Sequence, residues 1–185
     1  MSLLSIAATE DLELEQMDVR TAFLNAGSDR DIFVLFPPGY PSTTPGHNAL
    51  RLAKSVYGLR QAPRLWFACF VDYLKSQGWT QLKKDTCVFI KVINGTRAYI
   101  GVYVDDLTIL AATPAIMKDI KDSLKARFSM HDIGTLKHIL GWHIVRDRPQ
   151  RMLFIHQAQY SSAILRRFGL ESCNPVRHPL PANTR

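Results

Sequence analysis

From Glu13 to Val19 the chain alternates polar and apolar side chains, Glu-Leu-Glu-Gln-Met-Asp-Val, a period of two that predicts a strand with a carboxylate near its end. Ile32–Phe36 is a short apolar strand, and the stretch Phe36–Asn48, with four prolines and two glycines, is a loop inside a domain. The period then lengthens. Gln61-Ala62-Pro63 opens a helix, proline being tolerated in a first turn; it runs to about Gln77, stops at Gly78, and turns Trp66, Phe70, Tyr73 and Leu74 toward a core. Cys87–Ile93 and Arg97–Val104 flank Asn94-Gly95 and predict a β-hairpin, and a second turn at Asp105-Asp106 leads into Leu107–Ala111. Pro114 starts a helix through Phe128, with Met117, Ile120, Leu124 and Phe128 on its apolar stripe and Lys118, Lys121 and Lys125 off it. Ile139–Val145 and Met152–Ile155 are strand candidates, and Gln157–Phe168 is a last helix ended by Gly169. The mixture predicts an α+β fold: an antiparallel sheet with helices packed on one face.

Composition narrows the classes. At 185 residues and 46% hydrophobic, the chain has length for one domain, or one domain with an appendage, and enough apolar matter for a core, which excludes a wholly disordered chain. No apolar run reaches the ~18 residues of a membrane span. The first residues lack the basic start and apolar run of a secretory signal, so the chain is expected not to be secreted. Cys69, Cys87 and Cys173 are odd in number and far apart, which argues against a disulfide framework or a zinc knot and for a reducing compartment. The net charge is +7, unevenly spread: residues 1–31 carry seven acids and two bases, residues 146–185 seven arginines and two acids. Such a chain suits a polyanion such as nucleic acid, or simply carries a solubilising charge.

Tyr103-Val104-Asp105-Asp106 interrupts an otherwise apolar run, and Asp18 closes a strand 87 residues earlier. Adjacent acids between buried strands repel one another and lose hydration unless a cation offsets the cost. If the strands are neighbours, the carboxylates converge as the hard oxygen ligands that a pair of Mg²⁺ ions needs for phosphoryl transfer. The same residues also suit a plain turn, with Asp18 capping a short helix over 19–24.

These residues carry a family likeness. Gln16-Met17-Asp18-Val19-Arg20-Thr21-Ala22-Phe23-Leu24-Asn25 resembles the first catalytic motif of copia-type retrotransposon reverse transcriptases. Ser55-Val56-Tyr57-Gly58-Leu59-Arg60-Gln61-Ala62-Pro63-Arg64-Leu65-Trp66 is similar to their nucleotide-and-template motif, Tyr103–Asp106 to their catalytic hairpin, and Ile139-Leu140-Gly141-Trp142-His143-Ile144 to their primer-gripping hairpin. The likeness runs from about Glu10 to Pro181, with the motifs in order.

The resemblance implies a right-hand polymerase palm, an antiparallel sheet backed by helices. Asp18, Asp105 and Asp106 are then catalytic and, with the Val19 carbonyl, hold two Mg²⁺ ions (Mn²⁺ as a substitute). Phe23 becomes a steric gate against a ribose 2′-hydroxyl, or else a core phenylalanine. Gln61 and Arg64 touch nucleotide and template, or form a solvated first turn. Leu140 and Gly141 grip the primer, or mark a strand bend. Implied partners are an RNA or DNA template with its primer, deoxynucleoside triphosphates, and companion polyprotein segments or a second copy through self-association; no membrane is implied. The expected location is a cytoplasmic retroelement particle or the nucleus.

In domain terms, residues 1–145 correspond to the palm with partial fingers and 146–185 to a basic extension. The family's fingers precede its first motif, so the resemblance also implies that they are largely missing here. Three departures stand out: Asn25-Ala26-Gly27 replaces the usual Asn-Gly, His143 stands where an acid is common, and Lys137 aligns only loosely with a lysine that protonates pyrophosphate. The function implied is RNA-directed DNA polymerisation. The alternatives are a catalytically inactive, domesticated palm-like module that binds nucleic acid or protein, and an assembly role within a retroelement particle.

Overall fold

The computed structural model describes residues 2–40, 46 and 48–174. An N-terminal helix α1 (Ser2–Thr9) leads into β1 (Glu13–Val19), a 3-10 turn (Ala22–Asn25) and a small exposed ribbon of β2 (Phe33–Leu35) and β3 (Ala49–Arg51). Helix α2 (Ala62–Ser76) follows, then β4 (Thr80–Gln81), β5 (Val88–Ile93), β6 (Thr96–Tyr103), β7 (Asp106–Ala111) and helix α3 (Pro114–Arg127). Next come β8 (Met130–Thr135), β9 (His138–Ile139), β10 (Trp142–Asp147), β11 (Met152–His156) and helix α4 (Ala158–Arg167). Of the proline-rich loop, residues 41–45 and 47 lie outside the described residues, as do 175–185 of the basic extension.

Six strands form the main sheet in the order β4-β5-β6-β7-β1-β8, every pair antiparallel. The α+β class and the antiparallel sheet are as expected. Helices α2 and α3 cover one face: Met17, Val19, Ile100, Val102, Leu107 and Ile109 pack there with Trp66, Phe70, Leu74, Met117, Ile120, Leu124 and Phe128. Thr113 caps α3 by accepting a hydrogen bond from the Ile116 N–H at 3.3 Å, and proline sits in the first turn of both helices.

The other face is not bare, which corrects the one-sided picture. At one end α1 and the small sheet β11-β10-β9 pack Leu4, Ala7 and Ile144 against Leu14, Tyr99 and Leu110. Gly101 lies under α1: a Cβ there would fall 2.8 Å from Leu3 Cδ1, so any larger residue would require the Leu3 side chain to move. The apolar part of Ser2–Thr9 therefore belongs to a helix that the sequence reading passed over.

Three further readings change. Ile139–Val145 is not one strand; Leu140 and Gly141 both take positive φ (50° and 78°) and fold a tight turn between β9 and β10. The second hairpin turn sits on Val104-Asp105, one residue earlier than read, so Asp106 belongs to β7. Lys121 is not a solvated lysine off the stripe of α3. It is buried beneath the sheet, where it pairs with Glu15 of β1 and donates to Asp132 of β8 at 2.5 Å.

Candidate functional site

The antiparallel register of β1 and β7 puts Asp18 directly opposite Asp106. Directly opposed residues share a face. That face also carries Gln16, Thr108 and Gly101, and it is the one turned away from α2 and α3. Alternation along β1 thus separates Met17 and Val19, which enter the helix-covered core, from Gln16 and Asp18. Asp105 occupies the adjacent hairpin tip, and its carbonyl accepts from the Val19 N–H at 2.9 Å, tying the tip to β1. The three carboxylates that the spacing singled out are neighbours in space.

The tip is strained. In the two-residue turn between Tyr103 and Asp106, Val104 has φ 57°, whereas Asp105 does not enter the positive region. This sign pattern normally calls for glycine at the first position, and a β-branched residue there costs on the order of 1–3 kcal/mol. Trp66 holds the turn from below: its buried indole N–H donates to the Val104 carbonyl at 2.7 Å.

Charge is poorly compensated around the acids. Gln16 Nε2 donates to Asp106 Oδ1 at 3.2 Å. Among the described residues no lysine or arginine pairs with Asp18, Asp105 or Asp106, although ion pairs are numerous elsewhere. Burial raises the Asp106 pKa above the usual carboxylate value; the Gln16 hydrogen bond opposes this, and the charges of Asp105 and Asp18 add to it. Hard oxygen donors with unbalanced negative charge fit a divalent cation such as Mg²⁺. Among the described residues no three such side chains are drawn together as a finished coordination shell. The acids stand as strand neighbours, not as a closed cage.

Phe23 lies in the 3-10 turn just past β1 and is buried, with Tyr57 packed against it, the rings tilted 55° and their centroids 4.4 Å apart. Tyr57 is largely exposed, and its phenol pKa is raised by burial and by the charges of Asp105 and Asp18. Tyr57 lies within the motif Ser55–Trp66, and nothing in its spacing marks it for a role. The positive φ (94°) of Gly58, which sharply bends the chain there, is the feature that could have drawn attention to it.

The profile of the family described as reverse transcriptase (RNA-dependent DNA polymerase) matches residues 1–182. The chain belongs to the reverse transcriptase family. It is 38% identical over 180 residues, 97% of its length, to a retrovirus-related Pol polyprotein from transposon TNT 1-94 of Nicotiana tabacum. It is 31% identical over 178 residues to the Pol polyprotein from transposon RE1 of Arabidopsis thaliana, and 36% identical over 128 residues to a putative transposon Ty5-1 protein of Saccharomyces cerevisiae. It spans 14% and 12% of the two plant polyproteins, and the Ty5-1 match covers 69% of this chain and 42% of that protein.

The other residues singled out by the resemblance lie on α2 and on the turn of the small sheet. Gln61 immediately precedes α2 and makes no capping hydrogen bond with its side chain, and Arg64 in the first turn is bound to Asp29 at 2.5 Å with most of its side chain in water. Leu140 and Gly141 form the exposed turn between β9 and β10. Three of the C-terminal arginines pair with acids of the chain itself, Arg166 with Glu171 at 3.1 Å, so part of the segment's positive charge is neutralised internally. Arg146 donates to the carbonyls of Ala7 (2.8 Å) and Leu12 (2.5 Å) and pairs with Asp11, and Arg148 pairs with Asp11 and Glu13. These contacts bind β10 to the link between α1 and β1.

Proposed function

We propose that this chain is the palm of an RNA-directed DNA polymerase, extending a primer 3′-hydroxyl with deoxynucleoside triphosphates on an RNA or DNA template. The observation that carries the reading is the opposition of Asp18 and Asp106 beside the strained Asp105 tip, on the face away from α2 and α3. The carboxylates of Asp18, Asp105 and Asp106, with the Val19 carbonyl, would hold two Mg²⁺ ions, which when bound lower the pKa of the attacking hydroxyl and neutralise the departing pyrophosphate.

The chain's own residues do the rest. Phe23, buried behind Tyr57, excludes a 2′-hydroxyl from the sugar site, and Tyr57 lines the entry between that ring and the acids. Gln61 and Arg64 at the start of α2 orient nucleotide and template. The Leu140-Gly141 turn, with no side chain on its second residue, brings backbone close to the primer strand. In this reading residues 1–145 are the palm with part of the fingers, and 146–185 an extension continuous with companion polyprotein segments. No helix among the described residues is long and apolar enough to cross a membrane.

The test pairs catalysis with binding. Primer extension by the chain should fall to background in Asp105→Asn and Asp18→Asn. Mn²⁺, used as a spectroscopically visible substitute, should bind the unaltered chain and bind each variant more weakly. Unchanged Mn²⁺ binding in both variants refutes the metal roles and leaves a palm-like binding module.

A further inference from the structure

The small sheet carries a row of three histidines that the polymerase reading does not use. His143 in β10 pairs in register with His138 of β9 on one side and His156 of β11 on the other. All three therefore project from one face, the one opposite Ile144 and Ile155, which pack into the core. His138 Nε2 and His143 Nδ1 are 2.8 Å apart, one ring donating to the other, with ring centroids at 4.2 Å and nearly perpendicular planes. His156 stacks on His143 with centroids 5.1 Å apart and planes 5° from parallel. The Leu140-Gly141 turn joins the two strands that present the hydrogen-bonded pair.

We propose that His138 and His143 form a chelate for a divalent transition-metal ion of the Zn²⁺, Ni²⁺ or Cu²⁺ class, clamping β9 to β10 at the base of that turn. Two imidazole nitrogens bound to one ion at roughly 2.0–2.1 Å stand about 2.9–3.4 Å apart for angles between square-planar and tetrahedral. The observed separation is just below that range. Small ring rotations let the ion replace the shared N–H···N proton; the donor ring gives up that proton and takes one up at its other nitrogen, so both rings bind as neutral imidazoles. His138 is exposed and His143 half-buried, so water reaches the remaining coordination positions.

His156 is a positioning residue. Its Nδ1 faces the Ala158 N–H at 3.4 Å, and its ring fixes the plane of His143. Among the described residues no three ligating side chains converge, so the site is a two-ring chelate of modest affinity that selects ions high in the stability order for nitrogen ligands. It is separate from the carboxylates, whose oxygen donors suit Mg²⁺.

The inference does not rest on polymerase activity, and its test reads metal binding alone. The chain is titrated with Zn²⁺ by calorimetry and with Co²⁺ by visible absorption, alongside His138→Ala, His143→Ala, His156→Ala and His138→Gln, each checked for fold by circular dichroism. Loss of either chelating ring should weaken binding on the order of tenfold or more, with a smaller loss for His156→Ala. His138→Gln keeps a hydrogen-bonding side chain of similar reach and should lose the ion as His138→Ala does, which separates ligation from support of the hairpin. Equal affinity in all the variants overturns the proposal. So does a Co²⁺ spectrum that reports only thiolate ligation, since Cys87 and Cys173 are exposed.

Discussion

Replacing Lys121 with methionine tests whether the sheet that carries the acids depends on a buried cation beneath it. Lys121 is 6% exposed; it pairs with Glu15 and with Asp132, which also holds Lys125 at 2.9 Å. Burial would raise the Asp132 pKa, but hydrogen bonds from Lys121 and Lys125 outweigh it and hold the carboxyl at about 2, against 3.8 ordinarily. At 1.36 kcal/mol per unit that difference amounts to about 2 kcal/mol. Asp132 keeps 33% of its side chain in water, so solvent screening brings the realised contribution nearer to 1 kcal/mol.

Methionine also strands Glu15, whose side chain is only 26% exposed, without its partner. Removing one member of a fully buried pair costs about 3–5 kcal/mol, and partial solvent access lowers this to about 2–3 kcal/mol here. For a chain of this length the loss corresponds to roughly 5–10 °C in Tm. Urea unfolding at pH 7 measures the loss, and a double-mutant cycle with Asp132→Asn isolates the coupling.

The pH dependence follows from the direction of each shift. The Asp132 pKa is depressed on folding, so its contribution is present above 3.8 and is lost as pH falls toward about 2. The Lys121 pKa is raised: burial opposes the charge, but the hydrogen bonds to Asp132 and Glu15 prevail. That contribution is complete below 10.5 and is lost only as pH climbs above it. Lys121→Met should therefore flatten the stability profile between pH 4 and 2. A loss under about 0.5 kcal/mol at pH 7, or a coupling energy near zero, would refute the reasoning.

Two further outcomes are expected. Trp66→Phe keeps most of the ring packing but deletes the N–H that holds the Val104 carbonyl. It should cost about 1–2 kcal/mol in stability and reduce primer extension by a larger factor than that loss predicts; equal losses in both would make Trp66 a core residue only. Phe23→Ala should raise incorporation of ribonucleotides relative to deoxynucleotides in single-nucleotide extension, and an unchanged ratio would assign the ring to the core alone.

Much of the frame was legible because its signals are local. Asn94-Gly95 marks its hairpin, Pro63 and Pro114 mark helix starts, and the stripe Met117, Ile120, Leu124 and Phe128 is buried as its spacing requires. What escaped is set by partners distant in the chain. Met130–Thr135 reads as polar and irregular, and becomes a strand because β1 offers it an edge to pair with. Lys121 reads as a surface lysine because its two acids come from β1 and β8. Leu140-Gly141 was hidden inside an apolar run, since a turn that needs positive φ at two residues announces itself only through its glycine.

β1 shows why the site was easier to read than its support. One alternating segment serves two faces: Gln16 and Asp18 look toward the open side, and Glu15, Met17 and Val19 toward α2 and α3. On the open side the acids have no basic partners among the described residues, and unbalanced charge is visible in sequence as acids where apolar residues would be expected. On the helix side each demand is met by a neighbour, Lys121 for Glu15 and the core for Met17, and a satisfied group leaves no anomaly to notice. The pairing register shifts between Gln16 and Met17 on the β8 side, and Lys121 clasps Glu15 and Asp132 across that irregularity. The buried lysine on the back of the sheet is thereby tied, through Glu15, to the same strand that carries Asp18 on its front.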